Sequence, residues 1–249
     1  MYENYQKERI DIIKKVLQAL NDNFVLKGGT ALSLYYGLNR YSEDIDLDAK
    51  SNNMDITKLL KSNKNFRDYN ITIKKDTDTV FRTMLDYGGQ SHLGNYPLKI
   101  EVSNRNKIFL QQGSLTYTNI DGVNVYNISE LIDMKIAAFN GRDKVRDLYD
   151  LNFLLNKYPE YFNHKQLWQI NERIAYCGAD ELNMLLADEV KKHKLISNEN
   201  IDLNNFVQNF QARIENTLND KRIEKQKEFI KNLSIKDKQI QNKEPQRER

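Results

Sequence analysis

Cysteine occurs once in this chain, at position 177, so no disulfide can form within it. Histidine is also scarce: His92, His164 and His193 are far apart, and no Cys/His cluster with zinc-ligand spacing occurs. Proline is found only three times in 249 residues, which leaves long helices and strands uninterrupted. Nowhere do about eighteen apolar residues run together, so no membrane-spanning helix is expected. The opening residues lack the basic-then-apolar plan of a secretory signal, and a cytoplasmic location is the expectation.

What the chain does have is charge and tyrosine. Charged residues make up 29%, hydrophobic ones 39%, and Tyr is present fourteen times, the balance of a soluble folded protein with room for a sizeable core. The net charge of +3 is unevenly placed: residues 221–249 hold ten Lys/Arg against five Asp/Glu, so the remainder carries −2. A basic tail on a near-neutral body can touch RNA or another polyanion. Because acidic residues interrupt it throughout, the simpler reading is a solvated terminal helix with a frayed end.

Periodicity divides the chain. Ile10, Ile13, Val16, Leu17 and Leu20 recur at helical spacing, which predicts an amphipathic helix over 4–20. A short strand over 24–27, a helix over 30–38, a strand over 45–48 and a helix over 54–62 follow. Between 69 and 125 alternating apolar residues predict strands at Ile71–Lys74, Val80–Tyr87, Leu98–Ser103 and Gly122–Tyr126, with turns at Gly88-Gly89 and Gly94-Asn95. Asn127 with Glu130 has the spacing of a capping box. Beyond it the pattern is helical, with breaks near Gly141, Pro159, Gly178 and Ser197-Asn198. We expect an α/β domain over 1–126, a helical domain over 127–234 and a disordered basic tail over 235–249.

The densest chemistry lies between Lys27 and Asp48. Gly28-Gly29-Thr30 separates an apolar run from a helical stretch, so its backbone N–H groups can meet a phosphate at a helix N-terminus. Asp44 and Asp46 stand at i and i+2, on one side of a strand, where they can share a divalent cation. Glu101, alternating with Lys99 in Leu98–Val102, is a candidate third acid; a solvent-facing Glu on a half-buried sheet is the plainer alternative. Asp48 is expected to be peripheral and Glu43 to point away into solvent. Thr30 is expected to bind phosphate or cap the helix, and Lys27 to lie mostly at the surface.

A second cluster runs from Asp133 to Asp150. Lys135 and Arg142 are seven residues apart, and Arg142, Arg146 and Asp150 step by four, as do Asp143 and Asp147. Read alone, this is a helix laced with surface ion pairs. The sharper alternative is a cationic site for a triphosphate, with Lys135 its best candidate. Trp168 is expected in the core, and Cys177 shows no activating neighbours.

In combination, Lys27-Gly-Gly-Thr-Ala-Leu32, Arg40-Tyr-Ser-Glu-Asp-Ile-Asp-Leu47 and Arg146-Asp-Leu-Tyr-Asp-Leu151 resemble the AbiEii/AbiGii nucleotidyltransferase toxins, within the DNA polymerase β-like superfamily. The resemblance spans about residues 24–155. It implies an α+β fold, a nucleotidyltransferase-like mixed sheet flanked by helices and followed by a helical C-terminal domain. It implies an NTP substrate, Mg²⁺ or Mn²⁺, transfer of a nucleoside monophosphate to an acceptor hydroxyl (RNA such as tRNA foremost), and the toxin role of a type IV toxin–antitoxin system with a cognate antitoxin. By the same resemblance Gly28, Gly29 and Thr30 match the family's glycine-serine turn, Asp44 and Asp46 its metal-binding pair, and Lys135 a nucleotide-associated lysine. Arg146, Asp147 and Asp150 match a helical Arg-Asp motif, whose Asp acts in catalysis or holds Lys or Arg in place. Glu101 takes the third-carboxylate position. The expected site is therefore catalytic Asp44, Asp46, Glu101 and Asp147, with metal at the first three, and nucleotide contacts from Gly28, Gly29, Thr30, Lys135, Arg142 and Arg146. A catalytically weak nucleotide- or nucleic-acid-binding relative of the same fold is the alternative.

Overall fold

The computed structural model describes residues 3–142, 144–193, 196 and 202–241, with backbone alone for 193, 230 and 232–241. Helix α1 (Asn4–Gln18) leads into β1 (Phe24–Lys27), α2 (Gly28–Tyr35), β2 (Ile45–Ala49) and α3 (Thr57–Ser62). Strands β3 (Asn70–Asp76), β4 (Val80–Asp86), β5 (Gln90–Ser91), β6 (Gly94–Asn95) and β7 (Leu98–Ser103) follow. After α4 (Lys107–Gln111), β8 (Tyr117–Ile120) and β9 (Val123–Tyr126) complete the strands. The chain continues as α5 (Ile128–Gly141), α6 (Arg146–Lys157), a 3₁₀ turn (Pro159–Tyr161), α7 (His164–Cys177), α8 (Ala179–His193) and α9 (Phe206–Gln241).

The main sheet has the order β3-β4-β7-β2-β1-β9-β8. It is mixed: β2 with β7 and β1 with β9 are parallel, and the other pairs are antiparallel. Alternation explains its faces. Ile45 and Leu47 of β2 and Leu98, Ile100 and Val102 of β7 are fully buried, while the residues between them face the other side. Edge strand β3 is largely exposed, carries Lys74 and Lys75 and is bulged between Ile73 and Lys75, devices that discourage pairing with another chain. The buried apolar residues of sheet and helices form one continuous cluster, from Ile12 of α1 to Ile214 of α9.

Several local expectations need correction. Helix α2 starts at Gly28 rather than Thr30, because Gly28 takes φ +74°, a left-handed turn open to glycine, and starts the helix at once. Helix α3 starts at Thr57, where Asp55 Oδ1 accepts from the Thr57 N–H (2.8 Å). Gly94-Asn95 is itself a short strand, and α4 and β8 were not anticipated. Asn127 does precede α5, but no capping box forms: Glu130 Oε1 accepts from the Thr116 hydroxyl (2.9 Å) instead. A box forms at Asn163 and Gln166, at the start of α7. Residues 235–241, expected to be disordered, continue α9 as helix; 242–249, like the expected break at Ser197-Asn198, lie outside the described residues. Trp168 is 56% exposed rather than in the core, because the buried stripe of α7 is Leu167, Ile170 and Ile174.

Candidate active site

Strand register builds the acidic face. Lys27 pairs with Asp46 across β1 and β2, Asp46 with Glu101 across β2 and β7, and Glu101 with Arg82 across β7 and β4. Paired residues share a face, so these four side chains form a row across the sheet. Asp44, just before β2, and Lys99, two residues before Glu101, join that face. A cleft of about 250 Å³ opens over it, walled by the glycine turn on one side and by Lys135, Arg142, Lys144, Arg146 and Asp147 of the α5–α6 region on another.

The acids have partners. Lys99 Nζ lies 2.5 Å from Asp44 Oδ2. Burial pushes the Asp44 carboxyl above its usual range, with Lys99 opposing and Glu43 and Asp46 adding to the rise. Glu101 Oε2 accepts from both Arg82 Nε (2.7 Å) and Arg82 Nη2 (2.6 Å). Among the described residues no three His, Cys, Asp or Glu side chains converge tightly enough to hold a metal, so the expected three-acid ligand set is not assembled. Asp44 and Asp46 face the cleft together, while Glu101 is engaged by Arg82. Glu43, expected in solvent, lines the cleft as well, accepting from the Tyr96 hydroxyl (2.8 Å) and pairing with Arg146 (3.4 Å). Asp48 is wholly buried, held by Lys27 (2.5 Å), Asn106 (2.7 Å) and Tyr126 (2.9 Å); this also removes Lys27 from the cleft.

The glycine turn is packed against these acids. A Cβ at Gly28 would lie 3.1 Å from Asp46 Oδ2, and one at Gly29 would lie 2.7 Å from Arg40 Nη2. Only glycines let the turn approach so closely. Thr30 neither caps the helix nor opens to the cleft. It is buried, and its hydroxyl donates to the Asp44 carbonyl and lies 2.8 Å from the Ser42 hydroxyl, pinning the loop that presents Asp44.

The cationic wall is held by a buried network. Helix α5 ends at Gly141, so Lys135 and Arg142 are not two turns of one helix, yet both reach Asp147. Arg142 Nε donates to Asp147 Oδ2 (2.7 Å), and Lys135 Nζ lies 3.0 Å from Asp147 Oδ1 and 2.6 Å from Asp150 Oδ2. Asp150 also takes both Arg40 Nε (2.5 Å) and Arg40 Nη2 (2.7 Å). Asp147, expected as catalytic, and Asp150 are fully buried. Burial works against ionisation of each, but neighbouring cations hold both below the usual carboxylate range: Arg142 and Lys135 for Asp147, Arg40 and Lys135 for Asp150. Lys144 is the converse case. Partial burial foremost, and then the charges of Arg146, Arg142 and Lys99, pull its ammonium below the ordinary range, with Asp147 opposing. Asp143 lies outside the described residues.

Sequence reasoning missed Arg40, Arg9, Arg82, Lys99 and Lys144. Arg40 stands inside the quoted Arg40–Leu47 motif, but nothing local says that it reaches a helix 110 residues on. Arg9 is buried in α1, where its guanidinium donates to the Glu43 carbonyl (3.0 Å) and the Tyr87 hydroxyl (2.8 Å), and lies 3.8 Å from the Tyr96 ring centroid. Of the histidines, His92 bonds Tyr5 (3.3 Å) and the Lys192 carbonyl (3.2 Å), and the His193 side chain is outside the described residues.

A mixed sheet that carries an acidic pair beside a Gly-Gly helix entrance, faced by Lys and Arg from a following helical region, is a nucleotidyltransferase-like architecture. Solved structures from Helicobacter pylori are among those that share it. The Helicobacter pylori protein JHP933 is 29% identical, with TM-score 0.74, covering 94% of this chain and 100% of its own. A second structure from H. pylori, described as that of a candidate nucleotidyltransferase, is 29% identical, with TM-score 0.70, covering 90% of this chain and 98% of its own. No curated protein sequence matches significantly. The family described as nucleotidyl transferase AbiEii toxin, of type IV toxin–antitoxin systems, matches residues 11–240, and the chain belongs to that family. No helix among the described residues is long and apolar enough to cross a membrane.

Proposed function

We propose that this nucleotidyltransferase moves a nucleoside monophosphate from an NTP to an acceptor hydroxyl, RNA such as tRNA foremost, with Mg²⁺ or Mn²⁺ bound at Asp44 and Asp46, and that it acts as a toxin opposed by a cognate antitoxin. The observation that carries the chemistry is the facing of two sides of one cleft: the Asp44/Asp46 pair opposite Lys135, Arg142, Lys144 and Arg146. Hard carboxylate oxygens suit these cations, and two carboxylates suffice when substrate phosphates complete the shell. The desolvated Asp44, already drawing an ammonium onto one oxygen, fits such an ion. When bound, it would neutralise charge on the phosphates and favour in-line displacement.

The protein's own groups divide the remaining work. The Gly28-Gly29 turn and the surplus charge of Arg142 and Lys144 bind the triphosphate. The acceptor oxygen forms a bond to the α-phosphorus as the bond to pyrophosphate breaks. Its proton goes to Glu101, which keeps Oε1 for this step while Arg82 holds Oε2. Asp147 and Asp150 position Arg142, Lys135 and Arg40 and take no proton. A second reading, nucleotide binding without turnover, draws on the Lys99–Asp44 and Arg82–Glu101 pairs, which occupy two of the three carboxylates. Incubation with each labelled NTP, Mg²⁺ or Mn²⁺ and total RNA separates them. Label transfer lost by at least about 100-fold in Asp44→Ala and Asp46→Ala supports transfer. Metal-dependent NTP binding without any product supports the second reading.

A further inference from the structure

Among the described residues the charged cleft has no apolar side chain in its lining, so they offer phosphates a place but a nucleobase none. A second cavity of about 630 Å³ adjoins it and shares Arg142 and Lys144 as a common wall. Its floor is apolar, with Phe139, Val145 and Leu182 buried beneath it. Its rim carries Leu185, 43% exposed, and Tyr176, 83% exposed, two large side chains that core packing does not use. Arg173 lies along the Tyr176 ring, its guanidinium carbon 5.6 Å from the centroid. An apolar floor, an exposed aromatic and flanking cations are the components of a nucleobase site.

We propose that this second cavity, between the α5–α6 connection and α7–α8, receives the base and ribose of the donor NTP. The shared wall decides between the NTP and other occupants. Arg142 is close enough to Asp46 to feel its charge, and Lys144 close enough to Lys99, the partner of Asp44. The wall therefore stands beside the acidic pair, where the α-phosphorus must sit. The nucleoside is bonded to that same phosphorus, and this is the cavity reached directly across the wall. The inference rests on the nucleotidyltransferase reading.

The test uses the full chain and two exposed rim positions, Tyr176→Ala and Leu185→Ala, whose folding is checked by circular dichroism. Equilibrium binding is measured for a labelled NTP and for inorganic tripolyphosphate, which has no base. The expected result is an NTP affinity weakened by about tenfold with tripolyphosphate affinity unchanged, the loss of one stacking contact. Unchanged NTP affinity in both variants overturns the inference while leaving nucleotidyl transfer intact. So does a loss confined to the KM of the acceptor, which would give the cavity to the acceptor instead. If the wild-type chain binds neither NTP nor tripolyphosphate, the nucleotidyltransferase reading itself fails and takes this one with it.

Discussion

Replacing Asp150 by Asn keeps the shape of the side chain and removes its charge at the centre of the network. Asp150 receives two bonds from Arg40 and one from Lys135, and those cations are 3% and 6% exposed. After the change Arg40 has no carboxylate partner among these contacts, and Lys135 keeps only Asp147, at 3.0 Å. Breaking a buried ion pair from one side costs about 3–5 kcal/mol, chiefly through the uncompensated charge left behind. For a protein of this size that is a fall of about 6–20 °C in Tm. Thermal unfolding followed by circular dichroism measures it. The pH dependence gives a second readout. Arg40 and Lys135 outweigh burial and lower the Asp150 pKa, so its contribution to stability is present above the ordinary carboxylate value and is lost as pH falls through the folded value. Below a pH of about 4 the wild type should therefore lose more stability than the variant, whose acid limb is flatter. A double change to Arg40→Met and Asp150→Leu should recover much of the loss, since no buried guanidinium remains unpaired. A Tm shift under about 2 °C for Asp150→Asn would refute the view that this network holds the helical wall to the sheet.

Three further outcomes follow from the same geometry. Gly28→Ala places a Cβ 3.1 Å from Asp46 Oδ2 at φ +74°, costing about 1–2 kcal/mol, and should lower both Tm and label transfer in parallel assays. Arg142→Ala should weaken NTP binding by about tenfold or more in a titration and should also lower Tm, because buried Asp147 loses both bonds from Arg142 and keeps only Lys135. Removal of divalent cations with a chelator should abolish transfer and leave the circular dichroism spectrum and Tm nearly unchanged, since Asp44 and Asp46 line an open cleft rather than the core.

Much of the architecture was legible because it is written in local periods. The alternation in Leu98–Val102 places Glu101 and Lys99 on one face and buries Leu98, Ile100 and Val102 on the other, as the sheet shows. The spacing of Asp44 and Asp46 and the glycines at 28 and 29 likewise fix a carboxylate pair and a close turn, whatever surrounds them. Elements with weak periods, such as α4 and β8, left no such trace. The capping box at Asn127 failed for a related reason: its spacing was right, but Thr116, on another segment, took the Glu130 carboxylate.

The sequence alone thus determined the inventory of candidate groups, the acids, the glycine turn and a supply of Lys and Arg, because side-chain type and strand alternation are local properties. Which of those groups stay available was decided only in three dimensions. Asp147 and Asp48 read as acids but are buried and spoken for, Glu101 meets Arg82 from the neighbouring strand, and Thr30 turns inward to the Asp44 carbonyl. Arg40 and Asp150 are 110 residues apart in the chain and share two hydrogen bonds. Charges removed from water must find partners wherever the fold brings them, and no sequence spacing encodes that choice.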